Sequence, residues 1–382
     1  MKALRNFIDK IKPTFSEGGK LSWLGSTFEG FETFAFSPNT VTRKGSHVRD
    51  AVDSKRAIFT VIIALLPALL FGMWNIGHQT NIATNADWGF WYEFWFGFVR
   101  MLPLIVVSYV VGLGIEFTFA QIRHHEVYEG YLVSGLIIPM IVPVTTPLWQ
   151  LALAVAFAVI LGKEVFGGTG MNFLNPALVA RAFLFFSYPT HMSGDKVWIA
   201  ADMWGTDAIT GSTPLGDMAV NGSTQASALD MFLGTIAGST CETSVLAILI
   251  GAVILLCTGI ASWRIMLSVV LGGGLMGLLF NAIGGTPYLD MPFYYHYLMG
   301  GFMFGAVFMA TDPVTAAQTN CGKWIYGLLI GIFAVLLRVV NPAYPEGMML
   351  SILLLNCFAP LIDHCVVAGN IKRRKKRMEV KA

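Results

Sequence analysis

The segment from Thr210 to Pro214 contains residue types that could accept a covalently attached group. It reads Thr210-Gly211-Ser212-Thr213-Pro214 and therefore offers hydroxyls in a turn-forming setting. Gly211 gives the backbone conformational freedom, and Pro214 fixes the direction in which the chain leaves. The same residue types are typical of ordinary loops, which is the alternative interpretation. We interpret Thr213 as a candidate acceptor hydroxyl.

Four ionisable residues lie within or at the ends of long apolar stretches: Glu116, Arg181, Asp312 and Asp363. Charged groups are expensive inside a bilayer and usually face a cavity, a partner or an ion path. Carboxylate oxygens are the ligands that hard cations prefer. For Asp312 and Asp363, a plain position at the membrane interface is the alternative.

Other familiar sites have no support in the sequence. The Gly-rich stretch from Lys163 to Gly170 lacks the P-loop spacing, and no dinucleotide-binding fingerprint is present. The histidines show no metal-ligand spacing, and none of the five cysteines forms a CxxC pair. We therefore predict no tightly bound metal and no iron–sulfur site.

The composition places these residues in a membrane protein. The 382-residue chain is 55% hydrophobic and only 13% charged, against about 25% charged in a soluble domain. Its apolar blocks approach the roughly 20 residues that span a bilayer. We predict an all-α polytopic membrane protein with about ten transmembrane helices, of which the third and fifth are broken. The blocks are 57–76, 98–120, 131–146, 147–162, 172–188, 243–262, 265–283, 293–310, 324–340 and 347–363.

The charges between the blocks predict that both termini are cytoplasmic. Lys55 and Arg56 precede the first block, and a basic run follows the last. The segment 189–242 carries six acidic residues against Lys196 alone, as expected of an external loop. Arg100, near an external end, is the exception. Nucleic-acid binding is the rival explanation of the basic run, and its place beside a membrane span disfavours it.

These patterns divide the chain into five parts. The predicted parts are a cytosolic arm (1–56), a first five-helix unit (57–188), an external loop (189–242), a second five-helix unit (243–363) and a basic tail (364–382).

Two tripeptides recur in the same order in both units. Pro143-Val144-Thr145 and Asn175-Pro176-Ala177 return as Pro313-Val314-Thr315 and Asn341-Pro342-Ala343. Because five spans separate the copies, the units are predicted to be inverted repeats, which usually hold a ligand or ion at their interface. Asn before Pro suits the start of a helix, whose amide end attracts an electron-rich ligand. Ordinary capping without a ligand is the alternative.

Longer blocks resemble the B subunits of sodium-translocating NADH:quinone oxidoreductases and the homologous D subunits of Rnf complexes. The arm of 1–56 favours the quinone reductase. The blocks are 46–50, 163–170, 172–177, 308–313, 338–349 and 371–374.

The resemblance implies a fold and a setting. The expected fold is similar to urea transporters, with two inverted five-helix repeats. The expected location is the bacterial inner membrane, within a complex of about six subunits that reduces a quinone. A flavin transferase is expected to act on the chain during maturation.

The resemblance also implies cofactors. The family's flavinylation motif, Ser/Thr-Gly-Ala-Thr, matches Thr210-Gly211-Ser212-Thr213, with Ser in place of Ala. Thr213 is therefore the expected site of FMN, attached through a phosphoester outside the membrane. Riboflavin is expected near Asn172 and Asn175.

Two further groups of residues follow from the resemblance. The quinone and inhibitor region of the family corresponds to Gly112, Gly114 and Glu116, where Leu113 interrupts a Gly-Gly pair found in some members. The carboxylates linked to Na⁺ correspond to Glu116, Asp312 and Asp363.

The function implied is electron transfer through covalent FMN and riboflavin to ubiquinone or menaquinone, coupled to sodium translocation. NADH is expected to be oxidised on another subunit, because the dinucleotide fingerprint is missing here. An Rnf-type electron-transport subunit is one alternative. The other is a channel or carrier for a small neutral solute, which the repeat supports equally well and the flavin loop does not.

Overall fold

A computed structural model describes residues 54–123, 130–194, 197–200, 211–341 and 347–379, together with Lys2–Phe15 and isolated positions up to residue 46. Throughout these residues the regular structure is helical, and they contain no strand. The helices of eight or more residues are α1 (Lys2–Phe15), α2 (Ser54–Thr84), α3 (Phe90–Arg123), α4 (Tyr131–Ile141), α5 (Leu148–Gly162), α6 (Pro176–Ser187), α7 (Pro214–Asn221), α8 (Val245–Cys257), α9 (Trp263–Ile283), α10 (Asn320–Val340) and α11 (Gly347–Glu379).

Six helices in the described part are long and apolar enough to cross a membrane: α2, α3, α5 (continued to Phe166), α9, α10 and α11. Helices α4, α6 and α8 are also apolar but have only 11, 12 and 13 residues. The prediction of an all-helical, multi-pass membrane protein is confirmed. The number of ten spans and the inverted repeat stay predictions.

Several helix bounds differ from the predicted blocks. The third block ends as a helix at Ile141, and the fifth begins only at Pro176, as expected of broken helices. The eighth block is broken as well, which was not predicted. It consists of two short turns, Tyr295–Leu298 and Phe302–Phe304, followed by a π-helical stretch, Gly305–Met309. Such π stretches are often found at functional sites.

Glycines allow the main helices to touch backbone to backbone. A Cβ on Gly272 would clash with the carbonyl oxygen of Leu328, and one on Gly331 would clash with that of Val269. Helices α9 and α10 therefore cross at a distance that larger residues would prevent. Without a hydrophobic force between helices in lipid, such close packing stabilises their association.

Backbone carbonyl groups at the end of α4 accept hydrogen bonds from a distant segment of the chain. Thr240 donates its hydroxyl to the Pro139 carbonyl at 2.7 Å, and the Cys241 amide donates to the Met140 carbonyl at 3.0 Å. Backbone groups at membrane depth need such partners because lipid offers none. These bonds fix the segment before α8 against the end of α4.

The two Asn-Pro-Ala segments have different surroundings. Asn175 precedes α6 and caps it, whereas Asn341 directly follows the last residue of α10. Pro342 and Ala343 lie outside the described residues, which resume at Gly347 in α11.

Candidate functional site

Thr213 lies at the start of α7, at the edge of a cavity of about 260 Å³ that we call the Thr213 cavity. Its hydroxyl oxygen accepts a hydrogen bond from the Gly216 amide at 3.0 Å, and Pro214 is the first helical residue. This capping geometry fixes the Thr213 side chain at the edge of the cavity. Gly211 packs against Ile199, and Thr210 lies outside the described residues.

A buried ion pair forms part of the wall of the Thr213 cavity. Arg181 on α6 donates from Nη1 to both carboxylate oxygens of Glu242 at 2.8 Å, and each side chain is only 6% exposed. Arg181 also donates to the Ser239 hydroxyl at 3.2 Å. The pair joins α6 to the segment before α8, across 61 positions of sequence.

A second buried cation, Arg338 near the end of α10, also lines the Thr213 cavity. It is 1% exposed and donates to the His296 carbonyl at 2.8 Å. The cavity therefore places two arginines near a hydroxyl that could carry a phosphate, a group that arginine recognises well.

A small apolar cluster packs α7 onto the rest of the molecule. Leu215 and Met218 of α7 contact a group that includes Met231 and Tyr288. Burial raises the pKa of the Tyr288 hydroxyl above its usual value, while nearby Arg338 lowers it less. The phenol is therefore neutral at neutral pH and serves as packing for α7.

A second cavity, of about 310 Å³, lies among α2, α4 and the start of α6, and we call it the Asn172 cavity. Its walls are mostly apolar and include Ile58, Ile137 and Phe308. Its polar residues are Ser134, Lys163, Thr169, Asn172, Asn175, Thr311 and Asp312. A mostly apolar pocket with a few placed polar groups is typical of small-molecule and cofactor sites.

Asn175 links the start of α6 to Asp312 at the Asn172 cavity. Its side-chain oxygen accepts from the Ala177 amide at 3.0 Å, and its amide donates to Asp312 at 3.4 Å. The Asp312 carboxylate also accepts from the Val314 amide at 3.1 Å and the Thr315 hydroxyl at 3.0 Å. Within the described residues, all of these partners are neutral.

Two more polar groups of the Asn172 cavity differ in their hydrogen bonding. Asn172 donates to the Leu174 carbonyl at 3.0 Å. The Thr169 hydroxyl is buried and has no hydrogen-bond partner in the part of the chain that the structure describes. A buried hydroxyl is normally paired, so Thr169 is suited to a group that enters the cavity.

Glu116 is paired with Lys163. The two side chains form a direct ion pair and are 5% and 4% exposed. Next to it, Arg123 contacts the Glu164 carboxylate at 3.3 Å and donates to the Glu164 carbonyl at 2.7 Å. Glu116 had been predicted to be a cation ligand, and its pairing with Lys163 had not been predicted.

The glycines of the predicted quinone region face different surroundings. A Cβ on Gly112 would overlap the Tyr131 ring, whereas one on Gly114 would meet nothing within 4 Å. Gly112 and Glu116 are buried on one face of α3, and Gly114 is exposed.

This contrast gives a matched pair of variants. Gly112→Ala is expected to destabilise the protein by roughly 1–3 kcal/mol, because the added methyl overpacks the contact between α3 and Tyr131. Gly114→Ala should leave stability unchanged or slightly raise it, since alanine favours the helix. Thermal denaturation of both variants in the same detergent checks this, and equal losses of stability would contradict the assigned packing.

Asp363 has a different environment from the other predicted carboxylates. It accepts from the Gln318 amide at 2.6 Å and the Thr319 amide at 2.9 Å, and so holds the start of α10. Asp363 does not line the Asn172 cavity, where Asp312 lies. Its predicted part in a cation path stays a prediction.

Helix α6 connects the two cavities. Pro176, its first residue, lines the Asn172 cavity, while Leu178, Arg181 and Phe185 line the Thr213 cavity. Arg181 is six positions after Asn175, which corresponds to about 9 Å along a helix axis. The π-helical stretch makes the same connection, since Phe308 lines the Asn172 cavity and Met309 the Thr213 cavity.

The main residues that sequence reasoning missed are Lys163, Thr169, Glu242 and Arg338. Lys163 and Thr169 fall in the Gly-rich stretch from Lys163 to Gly170, for which the sequence excluded only a P-loop. A usable sequence signal existed for two of them, because Lys163 directly follows an apolar block and Arg338 lies within one. Nothing in the sequence indicated that Glu242 is the partner of Arg181.

The fold and these sites define a multi-pass helical membrane protein in which the Thr213 cavity and the Asn172 cavity lie between helices. Residues 41–372 match the model of the NQR2, RnfD, RnfE family, and the chain belongs to this family.

Curated relatives match along almost the whole chain. Two proteins named as the B subunit of Na⁺-translocating NADH-quinone reductase, from Chromohalobacter salexigens and Ectopseudomonas mendocina, are each 48% identical. The alignments cover 98% of this chain and 96% and 99% of those proteins. The protein of the same name from Stutzerimonas stutzeri is 47% identical, over 98% of this chain and 99% of its own length.

Proposed function

We propose that the chain is a membrane subunit of a Na⁺-translocating NADH:quinone reductase and conducts electrons through two flavins to quinone. The observation that carries the proposal is the arrangement of two cavities at different levels of one buried helix, α6, with the Thr213 hydroxyl at the edge of one of them. The names of the curated relatives support the same activity.

The Thr213 cavity fits FMN attached through a phosphoester to Thr213. Two buried arginines line it, and methionines from the π-helical stretch and from α11 provide apolar wall. A phosphate at Thr213 would also lie at the start of α7, where helix amides favour negative charge. A covalent bond there would keep the flavin in place without a binding equilibrium.

The Asn172 cavity fits riboflavin. Its apolar walls suit a flat ring system, and the Thr169 hydroxyl, Asn172 and Ser134 offer hydrogen bonds at its rim. The amide end of α6, capped by Asn175, faces the same space and favours electron density there.

A bound flavin supplies the redox chemistry, since its ring system accepts and releases electrons. The protein holds the two sites at a fixed separation through α6. The Arg181–Glu242 pair stabilises the wall of the Thr213 cavity. The Asn175–Asp312 hydrogen bond joins the two proposed helical units at the Asn172 cavity.

The buried carboxylates support coupling to sodium. Electrons that enter a low-dielectric region add negative charge that water cannot solvate. A Na⁺ ion nearby offsets this charge, and oxygen ligands suit it. Asp312 has only neutral partners among the described residues and lines the Asn172 cavity. It is therefore better placed than Asp363 to bind Na⁺ beside a flavin in that cavity.

The names of the relatives and the charge distribution support a setting in a multisubunit membrane complex. The partners are the other subunits of a complex of about six, a quinone and, during maturation, a flavin transferase. The location is the bacterial inner membrane, with both termini cytoplasmic and the two five-helix units inverted. An Rnf-type subunit is the second candidate, because the matching family model includes RnfD.

The presence of riboflavin in the Asn172 cavity is tested by a variant that removes its expected hydrogen bonds. Thr169→Val combined with Asn172→Leu is expected to lower riboflavin binding at least about tenfold, since each lost hydrogen bond contributes about 1 kcal/mol. The measurement is acid-extracted riboflavin per purified complex. Thr118→Val is the control, because Thr118 is exposed and bonds only its own helix. Unchanged riboflavin in the double variant would contradict the assignment.

A further inference from the structure

Lys163 contacts two functional regions at once. It pairs with Glu116 on α3, and it is also part of the lining of the Asn172 cavity. Within the described lining of that cavity it is the single cationic side chain. Its ammonium lies 5.9 Å from the centre of the Tyr131 ring, which gives a further favourable contact.

The ion pair blocks Glu116 as a cation site. The Lys163 ammonium contacts Oε1 of the Glu116 carboxylate, so Na⁺ would have to displace it to bind there. If the ammonium left and no cation replaced it, a buried carboxylate would remain uncompensated, which is strongly unfavourable. The departure of Lys163 and the entry of a cation at Glu116 are therefore coupled.

The surrounding structure allows the side chain to move without the backbone. Arg123 holds the backbone of the next residue, because it donates to the Glu164 carbonyl at 2.7 Å. A lysine ammonium on four methylenes can reorient, unlike the planar fork of arginine. The space that the side chain can reach is the Asn172 cavity, which it already lines.

We propose that Lys163 is a tethered cation that competes with Na⁺ for Glu116 and is withdrawn by negative charge in the Asn172 cavity. The inference rests on the proposed function, in which that cavity holds a redox cofactor. One electron, which comes from NADH and leaves to quinone, brings one negative charge into the cavity. The ammonium turns toward this charge, one Na⁺ takes its place at Glu116, and no covalent bond changes.

The test measures Na⁺ binding to the purified complex, by ²³Na NMR with K⁺ as the competing control ion, before and after reduction with dithionite. In the oxidised complex, Lys163→Gln is expected to bind Na⁺ at least about tenfold more tightly than the unmodified protein, because Glu116 then lacks its internal cation. Its thermal stability should also become dependent on Na⁺ and not on K⁺.

Three variants control this result. Arg123→Gln combined with Glu164→Gln removes the neighbouring pair, neither member of which lines the cavity, and should leave Na⁺ affinity unchanged within about twofold. Glu116→Gln combined with Lys163→Gln should abolish the gained binding. Lys163→Arg should hold Glu116 in both redox states and weaken Na⁺ binding to the reduced complex about tenfold. This last variant keeps the test decisive if Lys163→Gln does not assemble.

Two failures can be distinguished by counting flavins in each preparation. If the unmodified complex contains no riboflavin, the proposed function fails. If riboflavin is present and Lys163→Gln binds Na⁺ no more tightly than the unmodified complex and the Arg123→Gln, Glu164→Gln variant, the competition between Lys163 and Na⁺ is overturned. The competition is also overturned if the reduced Lys163→Arg complex binds Na⁺ as tightly as the reduced unmodified complex.

Discussion

Replacement of Thr213 by asparagine is expected to remove covalently bound flavin from this chain completely. The phosphoester requires a hydroxyl, and asparagine has none. Asparagine still caps a helix well, so α7 should keep its start at Pro214. The variant therefore separates the loss of the attachment point from the loss of the cap.

Denaturing electrophoresis under ultraviolet light gives the result directly, because a covalent flavin stays fluorescent on the chain. Thr213→Ser is the matched control, since serine keeps both the hydroxyl and the cap and should keep the fluorescence. We expect NADH-driven quinone reduction to be lost in Thr213→Asn and kept in Thr213→Ser. A fluorescent band in Thr213→Asn, after expression with the flavin transferase, would place the attachment elsewhere.

Replacement of Arg181 by methionine is expected to destabilise the protein strongly. It leaves Glu242 buried and without its main partner, which costs about 3–5 kcal/mol when one member of a buried pair is removed. The interface between α6 and the segment before α8 then loses the Arg181–Glu242 ion pair. Heating in detergent, followed by size-exclusion chromatography, measures the fraction of complex that stays assembled.

The double variant Arg181→Met with Glu242→Gln separates charge from packing. It removes both charges, and replacement of a whole buried pair is often neutral. We therefore expect the double variant to recover most of the stability that the single variant loses. If the two variants are equally unstable, the pair acts through its shape and hydrogen bonds, and the assigned electrostatic role is wrong.

Local features could be read from the sequence because local chemistry determines them. The apolar blocks predicted helices, and the structure has helical segments in each block within the described residues. Asn175 before Pro176 predicted a capped helix start, and Asn175 does cap α6. Thr213 before Pro214 is the same case, although its capping role was not foreseen.

The contacts that build the cavities join distant residues, and the sequence carried no direct sign of them. Lys163 and Glu116 are 47 positions apart, and Asn175 and Asp312 are 137 apart. Such pairings depend on how the helices pack, which periodicity and composition do not specify. The π-helical stretch Gly305–Met309 was missed for the same reason, since its residues suit an ordinary helix.

The structure also changes the interpretation of single residues. Glu116 was predicted to belong to a cation path, and this stays a prediction, but the structure adds that its carboxylate is paired with Lys163. Asp363 was grouped with Asp312, and the structure gives it different surroundings, since it accepts hydrogen bonds from backbone amides at the start of α10. Gly112 and Gly114 were treated as one region, yet only Gly112 faces the protein interior beside Tyr131.

The proposed electron path requires two flavins at different levels of α6, one in the Thr213 cavity and one in the Asn172 cavity. An electron cryo-microscopy map of the purified complex tests this arrangement most directly. We expect flat, ring-shaped density in both cavities, continuous with the Thr213 side chain in the first and detached from the protein in the second. A map in which side chains or lipid fill either cavity, with the flavins bound elsewhere, would contradict it.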